Sequence, residues 1–330
     1  MSVAKKAPAT GQGGGVRHLQ VDQEHAGQRL DNFLISQLKG VPKTHIYRLL
    51  RRGEVRINKG RSRPDYRIQP GDIVRIPPVR TAKAHQQTVV MQDGQYDWLE
   101  NRILFEDEAF LAVDKPAGLA VHGGSGVSLG LIEILRRLRP HARFLELVHR
   151  LDRETSGCLL VAKKRAVLLT LHAMLREGRI NKHYLALLAG RWSGKARVID
   201  APLLKSQLHS GERRVDVADE GKESASRFIP RQRYGATDAS PATTLVEIEL
   251  LTGRTHQARV HAAHVGHPIA GDDKYGDREF NSAMRTLGLR RLFLHAARLE
   301  FAHPVSGQGL KLEAPLPAEL EVVLEHLKCS

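Results

Sequence analysis

Between Gly27 and Arg80 the apolar residues first recur at helical spacing and then alternate. Leu30, Phe33, Leu34 and Leu38 share one helical face, and Gly40 and Pro42 end that helix. Ile46, Leu49 and Leu50 define a second helix from about Lys43 to Arg52, closed by Gly53. Thr44, Arg48, Arg51 and Arg52 fall on its opposite side, because residues three and four apart share a face. Glu54–Asn58 alternates like a strand, Asn58–Gly60 and Gln69–Asp72 are turns, and Ile73–Ile76 is a further strand. Residues 81–97 are polar without a sustained period and read as a linker, and the Gly/Gln-rich residues 1–18 read as a disordered tail.

From about Trp98 short apolar runs between turn residues take over. Ile103–Gly124 reads as two strands ending in a Lys-Pro-Ala-Gly turn, and a helix is expected over Leu129–Leu138. Leu168, Leu171 and Leu175 mark another helix, and Lys182–Tyr184 enters a strand. Thr243–Leu251 puts Val246, Ile248 and Leu250 on one strand face, a helix follows from about Thr255, and Leu316–Lys328 closes the chain as an amphipathic helix. The runs Phe144–Val148 and Cys158–Ala162 enclose the polar segment HRLDRETSG, His149–Gly157. Buried strands would hold such a loop rigid at a surface. The pattern predicts an α+β protein with a small module over 27–80 and a larger domain over 98–330.

Charge sharpens the division. The 330 residues carry a net +15, and residues 27–80 hold 13 Lys/Arg against 4 Asp/Glu, a net +9. A helix face presenting Lys43, Arg48, Arg51 and Arg52 suits a phosphate backbone. Aromatic residues are scarce there, so recognition would rest on phosphates and RNA shape rather than on stacked bases. Two cysteines without a CxxC pair exclude a disulfide framework and a thiolate metal site, and fit a reducing compartment. No apolar run approaches the ~18 residues of a membrane span, and the N-terminus lacks the apolar segment of a secretory signal. A cytoplasmic protein is expected.

Several motifs exclude chemistry. Gly123–Gly130 lacks the spacing and lysine of a phosphate loop, and matches no hydrolase elbow. His256, His261, His264 and His267 form no HExxH and have no acidic ligand at metal spacing, so no metal is expected. Arg254 beside the start of a helix is a candidate anion site. Within HRLDRETSG, Asp152 reads as an ion-pair member with Arg150 or Arg153, as a general base, or as a nucleophile.

HRLDRETSG closely resembles the signature of the pseudouridine synthases of the large family that modifies ribosomal RNA. DKPAGLAVHGG, Lys182-His183-Tyr184, LLTGRTHQARVH (Leu251–His261) and GHPIAGDDKYG (Gly266–Gly276) resemble the family's other motifs in order. The basic module resembles the S4 RNA-binding domain, through Arg29–Leu34, Lys43–Asn58 and Pro70–Pro77. The resemblance implies an S4 domain joined to a catalytic domain with a central, mostly antiparallel sheet flanked by helices and loops. It implies isomerisation of specific uridines of 23S ribosomal RNA by a monomeric enzyme without cofactor. Asp152 would be the nucleophile on a flipped-out uridine, with Arg254 as its charge partner. Tyr184 would pack on the uracil and take the ribose proton. Arg150 would fill the vacated stack, and His149 would contact RNA. The rivals are an RNA-binding assembly protein without catalysis, and a related synthase with other targets.

Overall fold

The computed structural model describes residues 15–38, 40–79, 94–123, 129–207, 213–237 and 240–329. Most of the expected tail and linker, and residues 124–128 of the glycine-rich run, lie outside these. The chain forms two compact units, residues 1–92 and 93–330. No helix among the described residues is long and apolar enough to cross a membrane.

The first unit contains β1 (Arg17–Gln20), α1 (Leu30–Gln37), α2 (Lys43–Arg51), β2 (Arg56–Ile57), β3 (Gly60–Arg61) and β4 (Ile73–Ile76). Its sheet runs β1-β4-β2-β3. Strand β1 corrects the tail expected over residues 1–18, because Arg17 pairs with Ile76 and His18 with Arg75. Leu30, Phe33 and Leu34 of α1 and Ile46, Leu49 and Leu50 of α2 are buried against Val74 and Ile76. Asp31, itself buried, accepts from Arg29 (2.7 Å), from Tyr47 Oη (2.9 Å) and from the Asn32 amide (2.8 Å), which ties α1 to α2. Packing one face of α2 inward leaves Lys43, Arg48, Arg51 and Arg52 exposed.

The second unit opens with a 3-10 turn at Asp97–Arg102, where the expected linker ends, then β5 (Ile103–Glu106) and β6 (Phe110–Lys115). There follow α3 (Leu131–Leu138), β7 (Glu146–Leu147), β8 (Ser156–Ala162), α4 (Arg165–Arg176), β9 (Ile180–Ala189) and β10 (Arg197–Asp200). Next come β11 (Leu203–Gln207), β12 (Arg213–Val217), β13 (Ala225–Tyr234), β14 (Thr243–Leu250), α5 (Gln257–His264) and α6 (Arg278–Thr286). The unit ends with β15 (Leu294–Ala302), β16 (Gly309–Glu313) and α7 (Ala318–Cys329). The main sheet runs β10-β13-β14-β9-β15-β8-β6-β5, with β16 on β15 and β7 on β8, while β11 and β12 form a separate hairpin. The pairings are antiparallel except β15 with β8. Strand β15 is therefore the seam between a half built from β5, β6 and β8 and a half built from β9, β14, β13 and β10.

Strand β8 is buried at every position, which is why its sequence is a continuous apolar run. Leu159 and Val161 face one core with α3, while Cys158, Leu160 and Ala162 face the other with Val167, Leu171 and Met174 of α4. Burial on both faces holds the strand that follows HRLDRETSG. Helix α5 starts at Gln257 rather than near Thr255, because His256 takes a left-handed conformation (φ 55°).

Candidate active site

The loop His149–Thr155 joins β7 to β8 and is pinned at several points. The Lys115 Nζ is fully buried and donates to the carbonyls of Pro116 (2.8 Å), Leu119 (2.8 Å) and Arg153 (3.1 Å). Burial pushes that ammonium down to about 7, while three carbonyl oxygens use all three of its protons. Gly118 N donates to Arg153 O (2.8 Å), and Arg153 Nε returns a bond to Gly118 O (2.9 Å). The Lys-Pro-Ala-Gly turn is thus a clamp on the loop. On the other flank Arg291 donates to Ser156 Oγ (2.6 Å), which lies 2.9 Å from His295 Nδ1.

These restraints present Asp152 to a cleft of about 730 Å³. Its walls are the loop itself, Lys182 and Tyr184 of β9, and residues 250–259. Lys182 and Tyr184 lie two apart on one strand and so face the same side. Tyr184 is 8% exposed, and burial followed by the Asp152 charge raises its hydroxyl well above the usual tyrosine value. Its ring forms part of the cleft wall. Burial, and then Arg254, pushes the Lys182 ammonium down.

The cation expected beside Asp152 was Arg254, and here the structure corrects the sequence. Arg254 is exposed and donates Nε to the Glu223 carbonyl (3.1 Å), although it still lines the cleft. Arg259 takes the position instead, with Nη1 3.6 Å from Asp152 Oδ2. The left-handed turn at His256 delays the helix and turns Arg254 outward, while Arg259, inside α5, points in. Arg259 donates Nε and Nη2 to buried Asp272, both at 2.7 Å, a bidentate pairing that leaves Nη1 for Asp152. Burial lowers the affinity of Arg259 for its proton, but Asp272 and then Asp152 outweigh it, and the group stays charged. Burial likewise opposes the Asp272 charge, and Arg259 with the amides of Tyr275 and Lys274 holds the carboxyl below its usual value.

His256 Nε2 lies 3.7 Å from Asp152 Oδ2. Gln257, buried beside it, accepts from Thr252 Oγ1 (2.7 Å) and Arg254 N (2.9 Å), and donates to Ala225 O and Ser226 Oγ (both 2.9 Å). Four bonds lock the turn that delivers Arg259. The fully buried His261 is likewise engaged, with Nδ1 3.1 Å from Ser226 Oγ and Nε2 3.0 Å from Ala201 O. Among the described residues no cluster of three or more metal-ligating side chains occurs.

Arg150 is exposed and lines the cleft, as does the half-buried His149. Its Nε2 accepts from the Leu160 amide (3.2 Å), and burial pushes the ring down to about 4, so it is a neutral anchor of the loop. Lys115, His256, Arg259, Asp272 and Tyr275 are site residues that pattern reading passed over. Their signal lay in the polar residues of DKPAG, THQAR and DDKYG, which lack an apolar period to explain them.

A family model described as RNA pseudouridylate synthase matches residues 109–264, and an S4 domain model matches residues 28–74. The chain is 53% identical over 313 residues to a protein of Pasteurella multocida (strain Pm70) named ribosomal large subunit pseudouridine synthase C, covering 95% of this chain and 94% of that one. A protein of the same name from Escherichia coli (strain K12) is 53% identical over 315 residues, covering 95% and 97%. Among solved structures, human RNA pseudouridylate synthase domain containing 4 superposes with a TM-score of 0.56 at 27% identity, covering 70% of this chain and 94% of that one.

Proposed function

The chain belongs to the RNA pseudouridine synthase family, and from that premise we propose that it isomerises specific uridines of 23S ribosomal RNA with Asp152 as nucleophile. The observation that carries this reading is the Asp152 carboxylate in a cleft, 3.6 Å from a buried arginine and facing the Tyr184 wall. The reaction breaks the uridine N1–C1′ bond, turns the uracil, and joins C5 to C1′. The C5 proton leaves and N1 gains one, so no atom is lost and no oxidation state changes. No cofactor is required by that balance.

Asp152 engages C1′ of the target nucleotide. Arg259, at 3.6 Å, stabilises the ionised carboxylate. Tyr184 packs on the uracil. A uridine in folded RNA must leave its stack, at a cost of a few kcal/mol, before it can enter the cleft. The exposed guanidinium of Arg150, flat like a base, fills the place it leaves. The S4 unit anchors ribosomal RNA through Lys43, Arg48 and Arg51 of α2 and Arg52 at its end, all exposed.

Two measurements test this. With transcribed 23S RNA, Asp152→Asn should lose at least about a thousandfold in rate while RNA binding stays within about twofold. Activity near wild type would end the nucleophile assignment. Pseudouridine mapping of ribosomal RNA from cells lacking the gene, with and without complementation, tests the target. An unchanged 23S map would overturn it.

A further inference from the structure

We propose that Tyr275 is a positioning residue of the active site: its hydroxyl fixes His256 in the tautomer that presents Nε2–H to the Asp152 carboxylate. The proposal rests on the reading of Asp152 as the nucleophile and deepens it.

The assignment follows from donors and acceptors. Tyr275 Oη lies 3.1 Å from the Val215 amide nitrogen and 2.8 Å from His256 Nδ1. An amide N–H only donates, so the hydroxyl oxygen accepts there. That oxygen has a second lone pair open to an Nδ1–H donor, but the Asp152 carboxylate beside Nε2 selects the arrangement in which the hydroxyl donates to His256 Nδ1. That nitrogen accepts, and the ring proton sits on Nε2, the atom 3.7 Å from Asp152 Oδ2. Catalytic hydrogen bonds are often long before substrate binds and tighten in the complex. In the other tautomer the Nε2 lone pair would face the carboxylate and repel it.

The surroundings hold this arrangement. His256 has φ 55°, a conformation that a non-glycine residue keeps only where its neighbours impose it. The Tyr275 ring packs with Leu203, Val215 and Val260, meets the His256 ring edge-on at 5.5 Å, and lies under the Arg259 guanidinium at 5.1 Å. The β11–β12 hairpin, through Val215, is therefore the mount on which the His256 tautomer is set.

The two groups beside Asp152 then do different work. Arg259 supplies a permanent charge. His256 supplies a directional donor that stays neutral. The groups facing His256 are Asp152, Arg259, Lys274, Asp272 and Tyr275. Burial disfavours the imidazolium, Asp152 favours it, and Arg259 and Lys274 oppose it, with the balance on the neutral side. A hydrogen bond donated into Nδ1 adds to that balance, because protonation must break it. An imidazolium in the same place would hold the carboxylate too tightly for attack.

The test is a double-mutant cycle on the full-length enzyme with transcribed 23S RNA. Tyr275→Phe should lower kcat on the order of tenfold, the effect of one hydrogen bond to a charged group relayed to the reacting atoms. KM should change by less than about twofold, and the acid limb of the kcat profile should move to higher pH. In a His256→Gln background the amide offers a donor without tautomers, so adding Tyr275→Phe should cost little more. An unchanged kcat and acid limb in Tyr275→Phe would overturn the proposal. So would an equal loss in both backgrounds, tracking a lowered melting temperature, which would reduce Tyr275 to support for Val215. Asp152→Asn run alongside separates the two ideas. Activity in that variant removes the nucleophile reading, whereas inactivity there with no Tyr275 effect removes only the positioning role.

Discussion

Two arginines five positions apart, Arg254 and Arg259, show what a single residue's direction decides. Both lie in the motif TGRTHQARVH, and nothing in its composition says which one turns inward. The left-handed backbone at His256 decides it, a tertiary choice enforced by the buried Gln257 network. Replacing Arg259 by Lys should reduce single-turnover rate by about a hundredfold or more, because a point charge cannot span Asp272 and Asp152 together. Arg254→Ala should act mainly on KM, since its guanidinium reaches the cleft wall and a carbonyl rather than the carboxylate. Equal kcat losses in both variants would contradict this division. Asp152 stood out as a candidate because its polar segment lies between apolar runs, whereas Tyr184 was reached only through the family resemblance. The anchoring of His149 was not legible: a polar residue in a polar loop gives no sign that its ring accepts the Leu160 amide.

At the level of elements, the ends of the catalytic loop are fixed by close backbone approach. Gly157, the second residue of β8, has φ +110°, and a Cβ there would lie 2.3 Å from the Ala296 carbonyl oxygen of β15. Backbone cannot yield as a flexible side chain would, so Gly157→Ala should cost at least about 2 kcal/mol and lower activity together with stability. Thermal denaturation and turnover of that variant check the link. A stable variant with full activity would show that the β8–β15 contact does not set the loop. The strands of this sheet were readable because burial on both faces writes long apolar runs, as in β6 and β8. Strand β1 was not, since RHLQ is a short edge strand with three exposed positions and one half-buried, and so has no period to detect. The β11–β12 hairpin was hidden in the same way, its role arising from one backbone amide on Tyr275.

Over the whole molecule, charge and chemistry are assigned to separate compact units, which the net +9 of residues 27–80 already indicated. Removing Arg48, Arg51 and Arg52 together should weaken RNA binding and reduce the magnitude of its log–log salt slope by up to about 2–3, roughly 0.7–0.9 per phosphate contact. Rate at saturating RNA should hold. A slope equal to wild type would remove this face from RNA recognition. The catalytic unit has its own division, since among the described residues β15 alone joins the two halves of its sheet, and the Ser156–His295 contact spans 139 positions. Contacts so distant along the chain form late in folding, after loop-closure entropy has been overcome. A nascent chain ending before Leu294 carries Asp152, Tyr184 and Arg259 but not the strand that registers them. The order of synthesis thus acts as a timer. An enzyme made on a ribosome, beside abundant RNA of the kind it modifies, acquires its reactive geometry only once β15 has emerged.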